Sequence, residues 1–303
     1  GLGDVYKRQA MVFEETGGGI LACDLITPNG RGGIDPGAKN KWVFVARALG
    51  TGPQYSIFRP AKPDWRDLRD EIEALIADHP ERVAATMEGG ASGSDNLIKS
   101  LTIGAEGKPL VLLVGCLEGD DWLAACSLLR VVELLLDPED YKMEWVMGRL
   151  RIKVIPCLTI EGYKKGTAAN ANGVLVDRNF AYHWDEFDDK KARGGEPFSE
   201  PESAMLKRIV EKEKPAVVLD VGVDDYKDGY ALVRSRDADR PQRDLWRVVR
   251  DILGARLRHR FVLGDKPLAV GLYKSAARPS LRNWAGSKGA VAGSLRICGD
   301  GED

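Results

Sequence analysis

Hydrophobic and polar positions change their spacing at about residue 60, and from there onward they alternate between helical and strand-like periods. Asp64 stands where it can cap a helix reaching Asp78, with Leu68, Ile72, Leu75 and Ile76 on one face at spacings of four, seven and eight. Residues 97–103 alternate as a strand should, and residues 109–114 form the continuous apolar run of a strand buried on both faces. A largely apolar helix over 121–136 and a strand over 152–155 follow. Ser199-Glu200-Pro201-Glu202 reads as a capping box opening a helix to about Lys214, and residues 216–221 read as another buried strand. Helices over 242–257 and 280–288 and a terminal strand over 290–297 close the series. This alternation predicts an α/β domain over residues 61–303, built on a mixed sheet with helices on both faces. Ligands of such sheets gather beyond the carboxyl ends of the strands, here near Gly115, Pro156 and Gly222.

The first sixty residues have a different texture. Residues 10–60 are rich in turn signals (Gly17-Gly18-Gly19, Pro28-Asn29-Gly30) around one short alternating run, Trp42-Val43-Phe44-Val45, which reads as a partial β-rich segment. Asp4-Val5-Tyr6-Lys7-Arg8-Gln9 looks like the translated adapter of a sequencing library, so residues 1–9 read as a scar and not as part of the fold. On that reading the natural N-terminus is missing and any signal peptide with it. Location stays open, with the cytoplasm favoured.

Composition narrows the classes. With 44 Lys and Arg against 46 Asp and Glu, the 303-residue chain has a net charge of −2 and lacks the basic excess expected of a nucleic-acid binder. No apolar run approaches the roughly 18–20 residues that span a bilayer. Five cysteines do not make a disulfide framework, and there are only three histidines: His79, His183 and His259.

At the strand ends, Glu118 and Asp121 stand three apart at a strand-to-helix junction. They can ligate a metal or accept from an arginine, or they can simply stabilise a helix N-terminus. Asp177-Arg178-Asn179-Phe180 follows a loop rich in Asn and Gly, and its arginine suits either carboxylate binding or a structural ion pair. Cys116 and Cys126 are expected in the core, and His183 in packing.

Several motifs, in order, resemble the zinc metallocarboxypeptidases of the carboxypeptidase A family. Gly107-Lys-Pro-Leu-Val-Leu-Leu-Val-Gly115 is similar to the strand leading to that family's first zinc motif, and Gly115-Cys-Leu-Glu-Gly-Asp-Asp-Trp122 resembles the motif itself, Gly-x-His-Gly-x-Glu-Trp. Thr159-Ile-Glu-Gly-Tyr163 resembles Asn-Pro-Asp-Gly-Tyr. Asn170-Ala-Asn-Gly-Val-Leu-Val-Asp-Arg-Asn-Phe180 is the most specific match, and Phe198-Ser-Glu-Pro-Glu202 and Leu281-Arg-Asn-Trp-Ala285 also have counterparts. The resemblance covers roughly residues 65–298 and implies a mixed, mostly parallel twisted sheet flanked by helices on both faces.

It also implies which residues should do the chemistry, and there the chain departs from the family. The ligand positions, two histidines and a glutamate in the family, carry Glu118, Asp121 and Gly222. The general-base glutamate aligns with Arg296, which cannot accept a proton near neutral pH. The carbonyl-polarising arginine aligns with Ala168, and an asparagine that helps hold the substrate carboxylate aligns with Asp177. Arg178, for the terminal carboxylate, and Tyr273, over the substrate, remain. The expectation is therefore a catalytically impaired pseudoenzyme without zinc or another cofactor, binding a peptide or protein C-terminus in the old substrate cleft. Arg296 is expected to extend into the zinc cavity and pair with Glu118, Asp121 or both. Two alternatives keep activity. One is an all-oxygen Mg²⁺, Ca²⁺ or Mn²⁺ site, in which Asp220 or Asp224 joins Glu118 and Asp121. The other is a conventional zinc enzyme altered in this copy.

Overall fold

The computed structural model describes residues 62–137, 141–224, 229–258 and 269–298, with short strands at 13–16, 20–23, 43–44, 58–59, 262–263 and 266–267. For the short strands, and for 141–142, 224, 229–230, 252–258, 269–271 and 297–298, it describes the backbone alone. Two compact units emerge, residues 1–62 with 255–268 and residues 63–254 with 269–303. In the first, Phe13–Thr16 pairs with Ile20–Cys23, Val43–Phe44 with Phe58–Arg59, and Val262–Leu263 with Lys266–Pro267, all antiparallel. Residues 1–9 and most of 10–60 lie outside the described residues.

The second unit is built on an eight-stranded sheet. Its strands are β1 (Val83–Gly90), β2 (Leu97–Gly104), β3 (Leu110–Val114), β4 (Arg151–Ile155), β5 (Val217–Asp224), β6 (Gly229–Arg234), β7 (Ala269–Lys274) and β8 (Val291–Cys298), in the spatial order β7-β6-β8-β5-β3-β4-β2-β1. The four pairings β7–β6, β8–β5, β5–β3 and β3–β4 are parallel, and β6–β8, β4–β2 and β2–β1 are antiparallel. β3 therefore lies between two parallel neighbours, which is why it reads as an unbroken apolar run.

Helices α1 (Trp65–Asp78), α2 (Trp122–Leu136), α3 (Tyr141–Met147), α4 (Ile160–Lys165), α5 (Pro201–Glu213), α6 (Arg240–Arg258) and α7 (Leu281–Ser287) connect the strands. Asp64 caps α1 by accepting the Asp67 N–H at 2.9 Å, and Leu68, Ile72 and Leu75 point inward as their spacing demands. α2 buries Ala124, Ala125, Leu128, Leu129, Val132 and Leu136 in the main core with Leu112, Val114 and Leu101, and each such leucine contributes about 1.5–3 kcal/mol relative to exposure. Cys116 and Cys126 are buried members of the same core.

The start of α5 differs from the expected capping box. Pro201 occupies the first helical turn, Glu200 is the cap residue without a side-chain cap bond, and Ser199 Oγ instead bonds Asn179 Nδ2 and the Glu200 carboxylate. Proline has no N–H to be capped and presets the helical φ, so Ser199 and Glu202 are free for other partners. Glu202 accepts the Ser92 N–H at 2.9 Å.

Candidate functional site

The chain leaves β3 through a tight turn that sends two carboxylates towards the strand ends. Cys116 takes a left-handed φ of 47°, its carbonyl accepts the Thr159 N–H at 3.0 Å, and its Sγ donates to the Asp121 carbonyl at 3.1 Å. Gly119 packs against Gly162 so closely that a Cβ there would lie 2.4 Å from the Gly162 carbonyl carbon, which forbids any side chain. Asp121 caps α2 by position, but its carboxylate does not serve that helix. Oδ1 accepts the Val223 N–H at 3.2 Å, while buried Oδ2 has no hydrogen-bond partner. Burial pushes its carboxyl up to about 7, with Arg296 opposing and Glu118 reinforcing. Burial also raises the Glu118 carboxyl, helped by Asp177 and opposed by Arg178 and Arg296.

The second wall comes from the β5–β8 pair. Their register sets Asp220 opposite Ser294 and Gly222 opposite Arg296, and residues two apart on a strand share a face. Ser294 Oγ donates to Asp220 Oδ1 at 2.6 Å, Arg296 Nη2 donates to Asp220 Oδ2 at 2.8 Å, and Arg296 Nη1 lies 3.8 Å from Asp121 Oδ2. The principal partner of Arg296 is thus Asp220, with Asp121 next. Glu118 acts on it through the field alone, outside ion-pair distance among the described residues. Burial alone would lower the Arg296 pKa, but Asp220, Asp177, Asp121 and Glu118 together hold it above the usual arginine range. Gly222 is what gives the guanidinium room: a Cβ there would stand 1.7 Å from Arg296 Nη1 and 2.6 Å from Asp121 Oδ2.

The third wall is the Asn-rich loop ending in the turn Val176–Arg178. Asn170 Oδ1 accepts the Asn172 and Val174 N–H groups, and its Nδ2 donates to Glu200 at 2.8 Å. Asn179 donates to the carbonyls of Arg193 (2.7 Å) and Glu196 (2.9 Å), and accepts from the Glu200 N–H (3.1 Å) and Ser203 Oγ (2.5 Å). Together they pin the backbone that carries Arg178. Its Nη1 donates to Asp177 Oδ2 at 2.5 Å, while Asp177 Oδ1 accepts the Leu281 N–H at 2.9 Å. Burial works against ionisation of Asp177, but Arg178, Arg282, Arg296 and the Leu281 N–H hold it at about 2. Arg282, buried on α7, donates to Ser294 Oγ at 2.8 Å and to Ser275 Oγ at 3.2 Å, and lies 3.8 Å from Asp177 and 3.9 Å from Asp220.

These walls enclose an open cleft of about 410 Å³, whose lining includes Glu118, Asp177, Arg178, Arg278, Arg282 and Arg296. Half-exposed Tyr273 stands at its edge, and Lys274 and Ser275 follow it in the lining. Of the residues singled out in the sequence, Glu118, Asp121, Asp177, Arg178, Gly222, Tyr273 and Arg296 therefore come together here. Ala168 contributes only its carbonyl, which accepts the Gly119 N–H at 3.0 Å. Asp220 is spoken for by Arg296 and Ser294, and the side chain of Asp224 lies outside the described residues. His183 pairs with Glu186 at 2.7 Å and packs on Tyr182. Arg282 was not singled out by sequence, although an arginine between Leu281 and Trp284 in a buried helix signals a charge in need of partners. Among the described residues, no three His, Cys, Asp or Glu side chains converge as a metal-binding group. No described helix is long and apolar enough to cross a membrane.

A family model described as zinc carboxypeptidase matches residues 68–224. Carboxypeptidase B of Astacus astacus is 24% identical over 163 residues, covering 46% of this chain and 53% of that protein. Zinc carboxypeptidase A 1 of Anopheles gambiae is 26% identical over 175 residues, covering 49% of this chain and 40% of that protein. The chain thus matches about half the length of these relatives. Among solved structures, bovine thrombin-activatable fibrinolysis inhibitor in complex with tick carboxypeptidase inhibitor superposes with a TM-score of 0.65 at 15% identity, over 80% of this chain and 88% of that one. Carboxypeptidase A from Helicoverpa armigera gives 0.63 at 19%, over 78% and 64%. Both likenesses establish the fold.

Proposed function

The chain belongs to the zinc carboxypeptidase family, and we propose that it is a member that has exchanged zinc chemistry for non-catalytic recognition of a peptide or protein C-terminus. The observation that carries this reading is Arg296, a guanidinium held by Asp220 and facing Asp121, at positions that the family resemblance gives to a base and a metal ligand. The residues present do not fit zinc. The three ligand positions hold Glu118, Asp121 and Gly222, without an imidazole or thiolate, and a protonated guanidinium stands among them. His79 ends α1 and His183 pairs with Glu186, so neither of these histidines serves the cleft. Nor does the position of the general base hold a proton acceptor, since an arginine cannot act as one.

One observation favours a metal: the Asp121 Oδ2 atom is buried without a hydrogen-bond partner. Arg296 at 3.8 Å, however, opposes the penalty that burial sets on its charge and so performs part of the electrostatic service of a cation. Substitution of cation for cation explains how buried carboxylates persist without metal, since an unpaired buried charge is strongly destabilising.

What the cleft keeps is recognition. Arg178 is rigidly presented and half-exposed Tyr273 stands at the edge. Asp177 weakens the grip on an incoming carboxylate, because like charges about 4 Å apart cost roughly 1–4 kcal/mol depending on exposure. Binding is therefore expected to be modest. Peptides incubated with the protein in Zn²⁺, Mn²⁺, Ca²⁺ or Mg²⁺ should be recovered intact by mass spectrometry, while a labelled peptide with a free C-terminus binds and its amidated form does not. Metal-dependent release of the last residue would overturn the proposal.

A further inference from the structure

The cleft holds more positive charge than its own carboxylates engage. Its lining includes Arg178, Lys274, Arg278, Arg282 and Arg296, with the carboxylates Glu118 and Asp177. Asp177 pairs with Arg178 and lies near Arg282, and Asp220 behind the wall engages Arg296. Among the described residues, neither Arg278 nor Lys274 has a carboxylate within ion-pair distance. Arg278 Nε is buried without a hydrogen-bond partner.

The segment that presents Arg278 is nonetheless fixed. Asn283 Nδ2 donates to the carbonyls of Ala276 at 2.9 Å and Arg278 at 3.0 Å, Ser275 N–H donates to the Arg234 carbonyl at 3.0 Å, and Ser275 Oγ accepts from Arg282. A pinned backbone that offers a guanidinium with an unpaired Nε to a cleft is pre-organised for an anion, because less ordering remains to be done on binding. Burial and the neighbouring Arg178 and Arg282 disfavour the charged form of Arg278 more than the fields of Asp177 and Glu118 restore it.

From this arrangement we infer that the cleft selects C-termini whose last residue is acidic, with the α-carboxylate at Arg178 and the side-chain carboxylate at Arg278 and Lys274. The inference rests on the C-terminus-binding reading above and names its ligand class. A two-carboxylate ligand suits a cleft lined by several cationic side chains, and a planar guanidinium can take a carboxylate in a bidentate bond.

The test is fluorescence anisotropy on the full chain, using labelled peptides identical except for a last residue of Glu, Gln, Leu or Lys, each also amidated. The Glu peptide should bind at least about tenfold more tightly than the Gln peptide, a difference of about 1.4 kcal/mol. Arg278→Gln and Lys274→Gln should each reduce that ratio by weakening the Glu peptide more than the Gln peptide, with the melting temperature unchanged. Equal binding of Glu and Gln peptides, or an unaltered ratio in both variants, would overturn the inference and leave C-terminus recognition standing. Binding of no peptide, or equal binding of the amidated forms, would overturn the underlying reading and the inference with it.

Discussion

At Arg296 a guanidinium stands among Asp220, Asp121 and Glu118, carboxylates drawn from two separate segments of the chain. Removing that charge leaves buried anions behind, and breaking a buried pair typically costs about 3–5 kcal/mol. Arg296→Met should lose stability of that order in urea denaturation, and adding Asp220→Asn should restore part of it by removing an anion the first change orphaned. Asp177 carries a different prediction. Its folded-state pKa of about 2 lies below the ordinary 3.8, so the stabilisation it provides is complete above pH 3.8 and is lost as pH falls through 2. The shift is worth about 2 kcal/mol. Asp177→Asn should abolish that part of the acid-induced loss as pH falls from 3.8 through 2, and it should tighten binding of a free C-terminus because Arg178 is no longer neutralised. Weaker binding in this variant would show that Asp177 serves recognition rather than opposing it.

At the scale of elements, the β5–β8 register makes two positions depend on each other. A side chain at 222 and the observed arginine at 296 compete for one space. Gly222→His alone should destabilise the protein by several kcal/mol, roughly as overpacking with a broken ion pair does, and much less when combined with Arg296→Ala. A double-mutant cycle should yield a coupling above about 1 kcal/mol, whereas additivity would contradict the shared space. The loop that carries Arg178 depends on Asn179. Asn179→Ala leaves several buried backbone groups unpaired, should cost at least about 3 kcal/mol in chemical denaturation, and should weaken peptide binding in whatever remains folded. Periodicity made β3, α1 and α2 legible because each buries a defined set of side chains. It left β1 unread because an edge strand rich in Ala, Thr, Gly and Glu, with most positions exposed, has no inward face to announce it. The candidate cleft residues were legible through motifs, yet the Asp220 partnership with Arg296 was not, since it arises only when strands 74 residues apart are set in register.

Across the whole molecule, the proposed reading separates scaffold from chemistry. The motif residues whose work is structural persist in their places. Gly119 permits a close approach of two loops, Asn170 and Asn179 fasten the Arg178 loop, and Glu202 reaches Ser92. On that reading the altered positions are those that would hold metal or move protons, and the count of three histidines in 303 residues accords with it. A protein of this design should keep its fold and its cleft without zinc. The direct test is equilibrium dialysis of the purified full chain against Zn²⁺, followed by elemental analysis and assay for release of a C-terminal residue. Far less than one tightly held zinc per chain, with no release, is the predicted result, and one zinc per chain accompanied by turnover would contradict it.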